Sequence, residues 1–345
     1  MKAETLLPLG KLDPGLAAPE AALNLDQVGD DARLVDALGY HALLMEETKD
    51  DPFQVLALAA AATQSVHVGT SVAIAFARSP FVVAQAAWTA QKISHGRFEL
   101  GLGSQVKGHM RRRFGLPWYP PGPWMRDFVG AVRAIWESWQ QQTDLDYVSD
   151  HYNLNLNVPL FTPAPIEYPD IPIQVAAVNP YMAKVAAEVA DGVRLHPVCS
   201  PTYIEQVILP EIAPVKSAEF EVCLKPLIAT ARNADELQAR IHVARQRLAF
   251  YCSTPAYAGA FDVFGLADFC AEMAQLSRAR RWDEMAAKVS DDLLHECVII
   301  ALYDDLAATI KARYGELIER IEVSIPVETA ADQDQLAAVV RALGE

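Results

Sequence analysis

Residues 66–104 read VHVGTSVAIAFARSPFVVAQAAWTAQKISHGRFELGLGS. An apolar run over 66–75 passes through Ser79-Pro80 into a segment over 80–94 with helical apolar spacing, and a second apolar run follows at 97–101. Short apolar runs bounded by turn residues read as buried strands, and a spacing near 3.6 between them reads as a helix. Strand, helix, strand in this order is the unit of a parallel sheet, because parallel neighbours need a long crossover.

Outward from this stretch the same unit recurs. Further strands are predicted over 5–9, 41–45, 171–177, 192–196, 221–229 and 320–325, making eight with the two above. The segment 234–251 between two of them places Leu237, Ile241, Ala244, Leu248 and Tyr251 on one helical face. Eight is the strand number of the (β/α)₈ TIM barrel, an α/β fold able to hold all 345 residues as one domain. Four dipeptides, Asp51-Pro52, Ser79-Pro80, Asn179-Pro180 and Ser200-Pro201, set a capping side chain before a proline suited to the first helical position. Each marks a helix start just beyond a strand's C-terminal end. In a barrel these starts gather on one rim, where active sites sit.

Two segments break the rhythm. One, about 103–170, holds a basic loop, a Pro/Trp-rich stretch at 117–124, a helix to about 142 and a polar hairpin near 147–157. The other, about 253–294, is mostly helical. Both are expected as insertions covering the C-terminal rim, since long insertions usually act as lids or binding loops. The chain is expected to end in a loose helical tail at 326–345.

Composition narrows the function. Apolar residues make up 52% and charged residues 21%, enough for a large core and too apolar for disorder. Forty-four acids against 29 bases leave a net charge of −15, which opposes nucleic acid or an anionic membrane as partner. The longest apolar run, 55–62, is too short to span a bilayer, and residues 1–15 lack the apolar core of a signal peptide. Five cysteines without a CxxC pair read as reduced thiols. The expectation is a cytoplasmic protein acting on a small molecule.

Several chemistries drop out. GLGSQV at 101–106 starts like a dinucleotide fingerprint but lacks the last glycine and follows the fourth strand instead of the first. The eight histidines show no HxH or HExxH spacing, so no metal set is expected at the strand ends. No GxSxG elbow occurs. Four positive signals remain, all at strand C-termini. EETKDD at 46–51 is either a charged rim element or a solvated loop. Gly103, Ser104 and Gln105 leave the fourth strand ahead of Lys107, Arg111, Arg112 and Arg113; helix-start N–H groups beside cations make an anion site, unless this is only a basic surface helix. Ala177, Val178 and Asn179 would let a phosphate approach the backbone, or form an ordinary βα loop. His196 ends the sixth strand as a catalyst or as a hydrogen-bonded core residue.

The order of these elements resembles the bacterial luciferase-like superfamily. The resemblance runs through Gly69-Thr70-Ser71-Val72 to Ser79-Pro80, Val83-Ala84-Gln85, the run from Ser94-His95-Gly96-Arg97 to Gly101-Leu102-Gly103, Ile173-Gln174-Val175-Ala176-Ala177 and Ala187-Glu188-Val189-Ala190-Asp191-Gly192. It covers about residues 1–325. Glu47-Thr48-Lys49, Gly103-Ser104-Gln105-Val106-Lys107 and Ser253-Thr254-Pro255 look most like the branch of coenzyme F420-dependent oxidoreductases. The resemblance implies a (β/α)₈ barrel that binds FMN or the deazaflavin F420 at its C-terminal rim. It places Ser71-Val72 where relatives carry a non-proline cis peptide against the flavin ring. Gly103, Ser104 and Gln105, with Ala177, Val178 and Asn179, match the loops that hold the cofactor's phosphate and ribityl chain. Glu47 and Thr48 match an acid and a histidine near the reacting edge of the ring.

Departures sharpen the reading. Thr48 stands where luciferase has a catalytic histidine, and Ser104 where it has a phosphate-binding arginine. The similar sugar-phosphate dehydrogenases of the deazaflavin branch carry a glutamate acid near the position of Val106 and a tryptophan near Phe53, and this chain has neither. Loss of the arginine favours F420, whose anionic tail would run along Lys107 and Arg111 to Arg113. The resemblance thus implies hydride transfer, with His196, Lys49 and Glu47 as candidate proton donors or polarising groups. The alternatives are an FMN-dependent monooxygenase fed by a partner reductase of flavin or F420, and a non-catalytic flavin-binding barrel. A pocket filled by Phe76, Phe81 and Trp88 would favour the last. A homodimer is expected, because 52–63 and 80–94 are apolar almost all round and related proteins pair there.

Overall fold

The computed structural model describes residues 1–10, 22–327 and 329–345; the far end of the N-terminal stretch inspected for a signal peptide, up to Gly15, lies outside the described residues. Eight strands form the central sheet: β1 (Lys2–Leu6), β2 (Ala42–Met45), β3 (His67–Thr70), β4 (Phe98–Gly103), β5 (Ile173–Ala177), β6 (Gly192–Leu195), β7 (Glu221–Leu224) and β8 (Arg320–Glu322). Every neighbouring pair is parallel, in the order β3, β2, β1, β8, β7, β6, β5, β4. Pairing of Val68 and Gly69 with Phe98 and Glu99 joins the two ends and closes the barrel.

The helix starts follow the capping chemistry. Asp51 accepts from Phe53 N–H ahead of α2 (Pro52–Ala62), Ser79 from Phe81 N–H ahead of α3 (Pro80–Ile93), and Asn179 from Met182 N–H ahead of the helix Pro180–Val189. Ser200 likewise accepts from Tyr203 N–H. Helix α1 (Val28–Ala37) precedes β2. The first insertion carries α4 (Lys107–Arg112), α5 (Pro121–Gln141) and a short antiparallel hairpin, after which Pro180–Val189 is α6. The one-face segment after β7 is α7 (Ala234–Cys252), whose Ala244, Leu248 and Tyr251 are buried.

Three strand expectations need correction. β1 ends at Leu6 and not at 9, because Pro8 has no N–H to donate to a ladder. The run over 66–75 divides into β3 and a two-residue strand, Ala73–Ile74, on either side of a cis peptide between Ser71 and Val72. The run over 221–229 divides at Lys225-Pro226: β7 stays in the barrel, while Leu227–Ala231 leaves it and pairs with Val298–Leu302 in a separate parallel pair. That partner strand lies just beyond the 253–294 segment, where no strand is predicted.

The tail is also corrected. Residues Ala330–Gly344 form a helix that Thr329 and Asp332 close with a reciprocal capping box, and Leu336, Val339, Val340 and Leu343 are buried. The N-terminal ammonium donates to Leu343 O at 3.2 Å, so the helix is docked and not loose.

Apolar packing lies mainly between sheet and helices, whereas the barrel interior is polar below a small cluster of Leu6, Ala42 and Leu44. Arg194 pairs with Glu4 at 2.6 Å, and Arg320 bridges Glu4 at 3.2 Å and Glu99 at 2.6 Å. All four side chains are buried, and buried charges persist where they are paired and hydrogen-bonded.

Candidate active site

A cavity of about 1070 Å³ opens at the C-terminal ends of β2 to β7. Glu47, Thr48 and Lys49 reach it from the loop after β2, Ser71 and Val72 from the bulge after β3, and Gly103, Ser104, Gln105 and Lys107 from β4 and its loop. Ala177, Val178 and Asn179 enter from β5, and His196 from β6. These residues, all singled out in the sequence, therefore line one cavity. Trp118 and Pro121 of the first insertion and Ala256 and Tyr257 of the second line it too. Phe76 instead stacks on Trp124 and Phe81 packs edge-on to Trp139, with Trp88 against the same indole, so none of the three fills the pocket.

The floor is set by close backbone approach. The peptide between Ser71 and Val72 is cis, and Thr70 Oγ1 both donates to Gly101 O at 2.6 Å and accepts from Gly101 N–H at 2.9 Å. A Cβ on Gly101 would lie 1.9 Å from Thr70 O, and one on Gly103 2.6 Å from a Val72 methyl. Only glycine lets β4 lie this close to the bulge. Arg194 Nε donates to Ser71 Oγ at 3.2 Å from beneath.

Glu47 braces the same bulge. Its Oε2 accepts from Ile74 N–H at 2.6 Å and pairs with Arg78 at 2.6 Å, while Arg78 also reaches Asp51. A carboxylate engaged in this way is a holder of the loop more than a source of protons. Lys49 and Thr48 are exposed at the mouth. His196 is placed differently: its Nδ1 accepts from Val198 N–H at 3.3 Å, which leaves the proton of the neutral ring on Nε2. Tyr257 and Tyr251 flank the ring at centroid distances of 4.2 and 4.9 Å.

The two phosphate-loop candidates share the rim. Gln105 has a left-handed backbone, φ 55°, and its side-chain carbonyl accepts from Val106 N–H at 2.8 Å. Tyr203 Oη donates to Val178 O at 3.1 Å and fixes the opposing loop. Lys107 lines the cavity, but Arg111 and Arg112 do not, and Arg113 turns back to donate to Thr48 O at 3.3 Å. The basic run is thus mostly a surface helix with one cation at the cavity. Sequence reading missed Arg194, Lys225 and the aromatic wall of Trp118, Tyr251 and Tyr257. Tyr251 had been assigned to a helix's core face, and Arg194 shares the alternation of β6 with His196, the one signal that could have marked it.

A closed parallel barrel with its cavity at the strand C-termini defines the class as a TIM barrel. The family model described as luciferase-like monooxygenase matches residues 7–320, and the chain belongs to that family. An uncharacterized protein of Mycobacterium tuberculosis is 34% identical over 323 residues, covering 92% of this chain and 94% of the relative. The structure of coenzyme F420-dependent tetrahydromethanopterin reductase from Methanopyrus kandleri superposes with a TM-score of 0.75 at 17% identity, covering 99% and 97% of the two chains. EDTA monooxygenase from Chelativorans sp. BNC1 gives 0.74 at 12% identity, covering 100% and 94%. At these identities the two structures establish the shared fold alone. No helix among the described residues is long and apolar enough to cross a membrane.

Proposed function

We propose that this protein is a coenzyme F420-dependent oxidoreductase that moves a hydride to or from a small organic substrate. The observation that carries the reading is the rim groove between the 103–107 loop and the 177–179 loop, which offers backbone donors, the Ser104 hydroxyl and Lys107 but no arginine at position 104. Dispersed donors with one cation suit a phosphodiester tail passing along the rim better than a compact terminal phosphate, which favours a bidentate arginine.

The groove fits such a group in its donor set, and Gly103 lets Val72 pack close beneath it. Bound there, the deazaflavin would supply the hydride chemistry. The chain's own residues do the rest. Lys107 and the loop N–H groups would hold the anionic tail, and the bulge at Ser71-Val72 would support the ring. His196, flanked by Tyr251 and Tyr257, presents its ring to a substrate oxygen. Lys49 and Glu47 act at the mouth, the first by charge and the second by holding the bulge.

Titrating the purified protein with F420 and with FMN, while following oxygen consumption, tests the reading. Binding of F420 with oxygen-independent turnover is expected. Tight FMN binding with oxygen uptake would replace it with the monooxygenase reading, which the family's name and the likeness to EDTA monooxygenase support. We further propose a homodimer through α2 and α3, where Leu58 and Val82 are half-exposed; a monomer in sedimentation would contradict it.

A further inference from the structure

The opposite end of the barrel carries a second cluster. His41 precedes β2, His67 opens β3 and Glu99 is the second residue of β4, so all three stand at the N-terminal mouth, across the barrel from the cavity. His67 Nδ1 lies 3.0 Å from Glu99 Oε1, and His41 Nε2 lies 3.7 Å from the same oxygen. The two imidazoles stack at 4.8 Å. Both ring nitrogens are shielded from solvent and face that carboxylate oxygen, with His67 Nδ1 within hydrogen-bond distance of it. His41 Nε2, at 3.7 Å, is beyond hydrogen-bond distance of it, and a buried nitrogen is rarely left so.

We propose that His41, His67 and Glu99 form a site for a divalent transition metal of the zinc type, which staples the N-terminal ends of β2, β3 and β4. Two imidazoles and a carboxylate are a known three-ligand set for zinc. Their ligand atoms lie within 4.8 Å of one another. Tetrahedral bonds of about 2.0–2.1 Å would bring them to roughly 3.3 Å, a shift of under about 1 Å for each side chain. Both histidines are partly exposed, which gives an ion an entry path and leaves the fourth position to water.

The surroundings decide whether a cation is tolerated. Arg320 Nη1 sits 2.6 Å from Glu99 Oε2, a like charge nearby. Arg320 also pairs with Glu4 and with Glu221, which Lys2 shares at 2.7 Å. Its contact with Glu99 uses the oxygen turned away from the histidines, so it orients the ligating carboxylate from outside, as supporting partners of metal ligands commonly do. The spacing rules applied to the sequence could not find the set, because its members lie 26 and 32 residues apart and meet only through strand register.

The test is zinc binding to the full chain, freed of metal by a chelator, compared with His41→Gln and His67→Gln. Calorimetry with zinc alone should give one equivalent. Each variant should lose more than the roughly 10–100-fold that removal of an outer-shell partner costs. Cobalt alone should give visible absorption bands that both variants abolish, and zinc should raise the thermal midpoint of the parent only. Circular dichroism checks that the variants fold, and neither histidine touches the rim cavity, so the outcome is independent of the cofactor reading. No zinc bound at about 100 µM, far above the affinity of structural sites, would overturn the proposal. So would one equivalent retained in both variants.

Discussion

Arg194 Nε hydrogen-bonds Ser71 Oγ at 3.2 Å while its other nitrogens hold Glu4 at 2.6 Å and Gln174 at 2.9 Å. One buried side chain thus ties the charged interior of the barrel to the residue that begins the cavity's floor. The cavity and the ion network are therefore mechanically one unit. Arg194→Met should strand the Glu4 carboxylate with Arg320 as its remaining partner. Breaking a buried pair in this way costs about 3–5 kcal/mol. Denaturant unfolding would measure it, and a loss under about 1 kcal/mol would show that the network contributes little.

Gly103 and Gly101 separate two effects of close approach. Gly101→Ala would drive a methyl against Thr70 O, which is backbone and cannot yield, so a loss above about 4 kcal/mol is expected. Gly103→Ala meets only a Val72 methyl, an overpacking worth about 1–3 kcal/mol. Its larger effect should be on the cofactor, whose affinity should fall about tenfold as the bulge moves. Thermal melts and cofactor titration of both variants would check the pair; equal stability losses would remove the distinction.

Much of this was legible in the sequence, for a physical reason. Strand–helix alternation and Ser/Asp/Asn-Pro caps are local, so the eight strands, the rim and the loops that line the cavity could be read from short windows. What could not be read depends on contacts between distant strands. The departure of Leu227–Ala231 from the barrel requires Val298–Leu302 as a partner, 71 residues on. The bracing of Glu47 by Arg78, the Arg194–Ser71 contact and the His41–His67–Glu99 cluster exist only once the sheet closes. Charge content alone cannot say which carboxylate is a brace and which is a ligand.

Glu47 and His196 should part company in kinetics. His196→Gln removes the one ring proton presented to the cavity, and loss of a general acid typically costs about 10²–10⁴ in rate. Its kcat should fall while cofactor affinity holds. Glu47→Gln keeps the shape but weakens the tie to Arg78, so cofactor affinity should drop with kcat and the pH profile nearly unchanged. Steady-state kinetics on both variants would decide. A kcat loss in Glu47→Gln matching that in His196→Gln would return Glu47 to the chemistry.

Asp36 makes the start of β3 acid-sensitive. Burial alone would raise its carboxyl, but N–H donors at Gln64, Ser65 and Val66 outweigh it and hold it below the usual carboxylate range. A depressed folded value means that the stabilisation is complete above the unfolded value, near pH 3.9, and is lost as pH falls below it. Asp36→Asn should therefore destabilise by about 1–3 kcal/mol at neutral pH, with the difference from the parent shrinking below about pH 4. Urea midpoints across pH would test this; a gap that widens in acid would reverse the sign.

Lys107 is the remaining discriminator of cofactor. It is the basic-run side chain that lines the cavity, on the rim where the Ser104 and Asn179 loops face one another. If a phosphodiester tail lies there, one charge-assisted contact is worth roughly 1.5–3 kcal/mol, so Lys107→Ala should weaken F420 binding by about tenfold or more. Ser104→Asp should do the same, by setting a carboxylate against the tail. Because Lys107 is exposed, the effect of its loss should shrink as ionic strength rises and the Debye length falls from about 10 Å at 0.1 M to 3 Å at 1 M. A cavity that held its ligand by apolar contacts alone would show no such salt dependence. Calorimetry at two salt concentrations therefore separates electrostatic capture of the tail from packing around the ring, and unchanged affinity in both variants would move the cofactor's phosphate away from this groove.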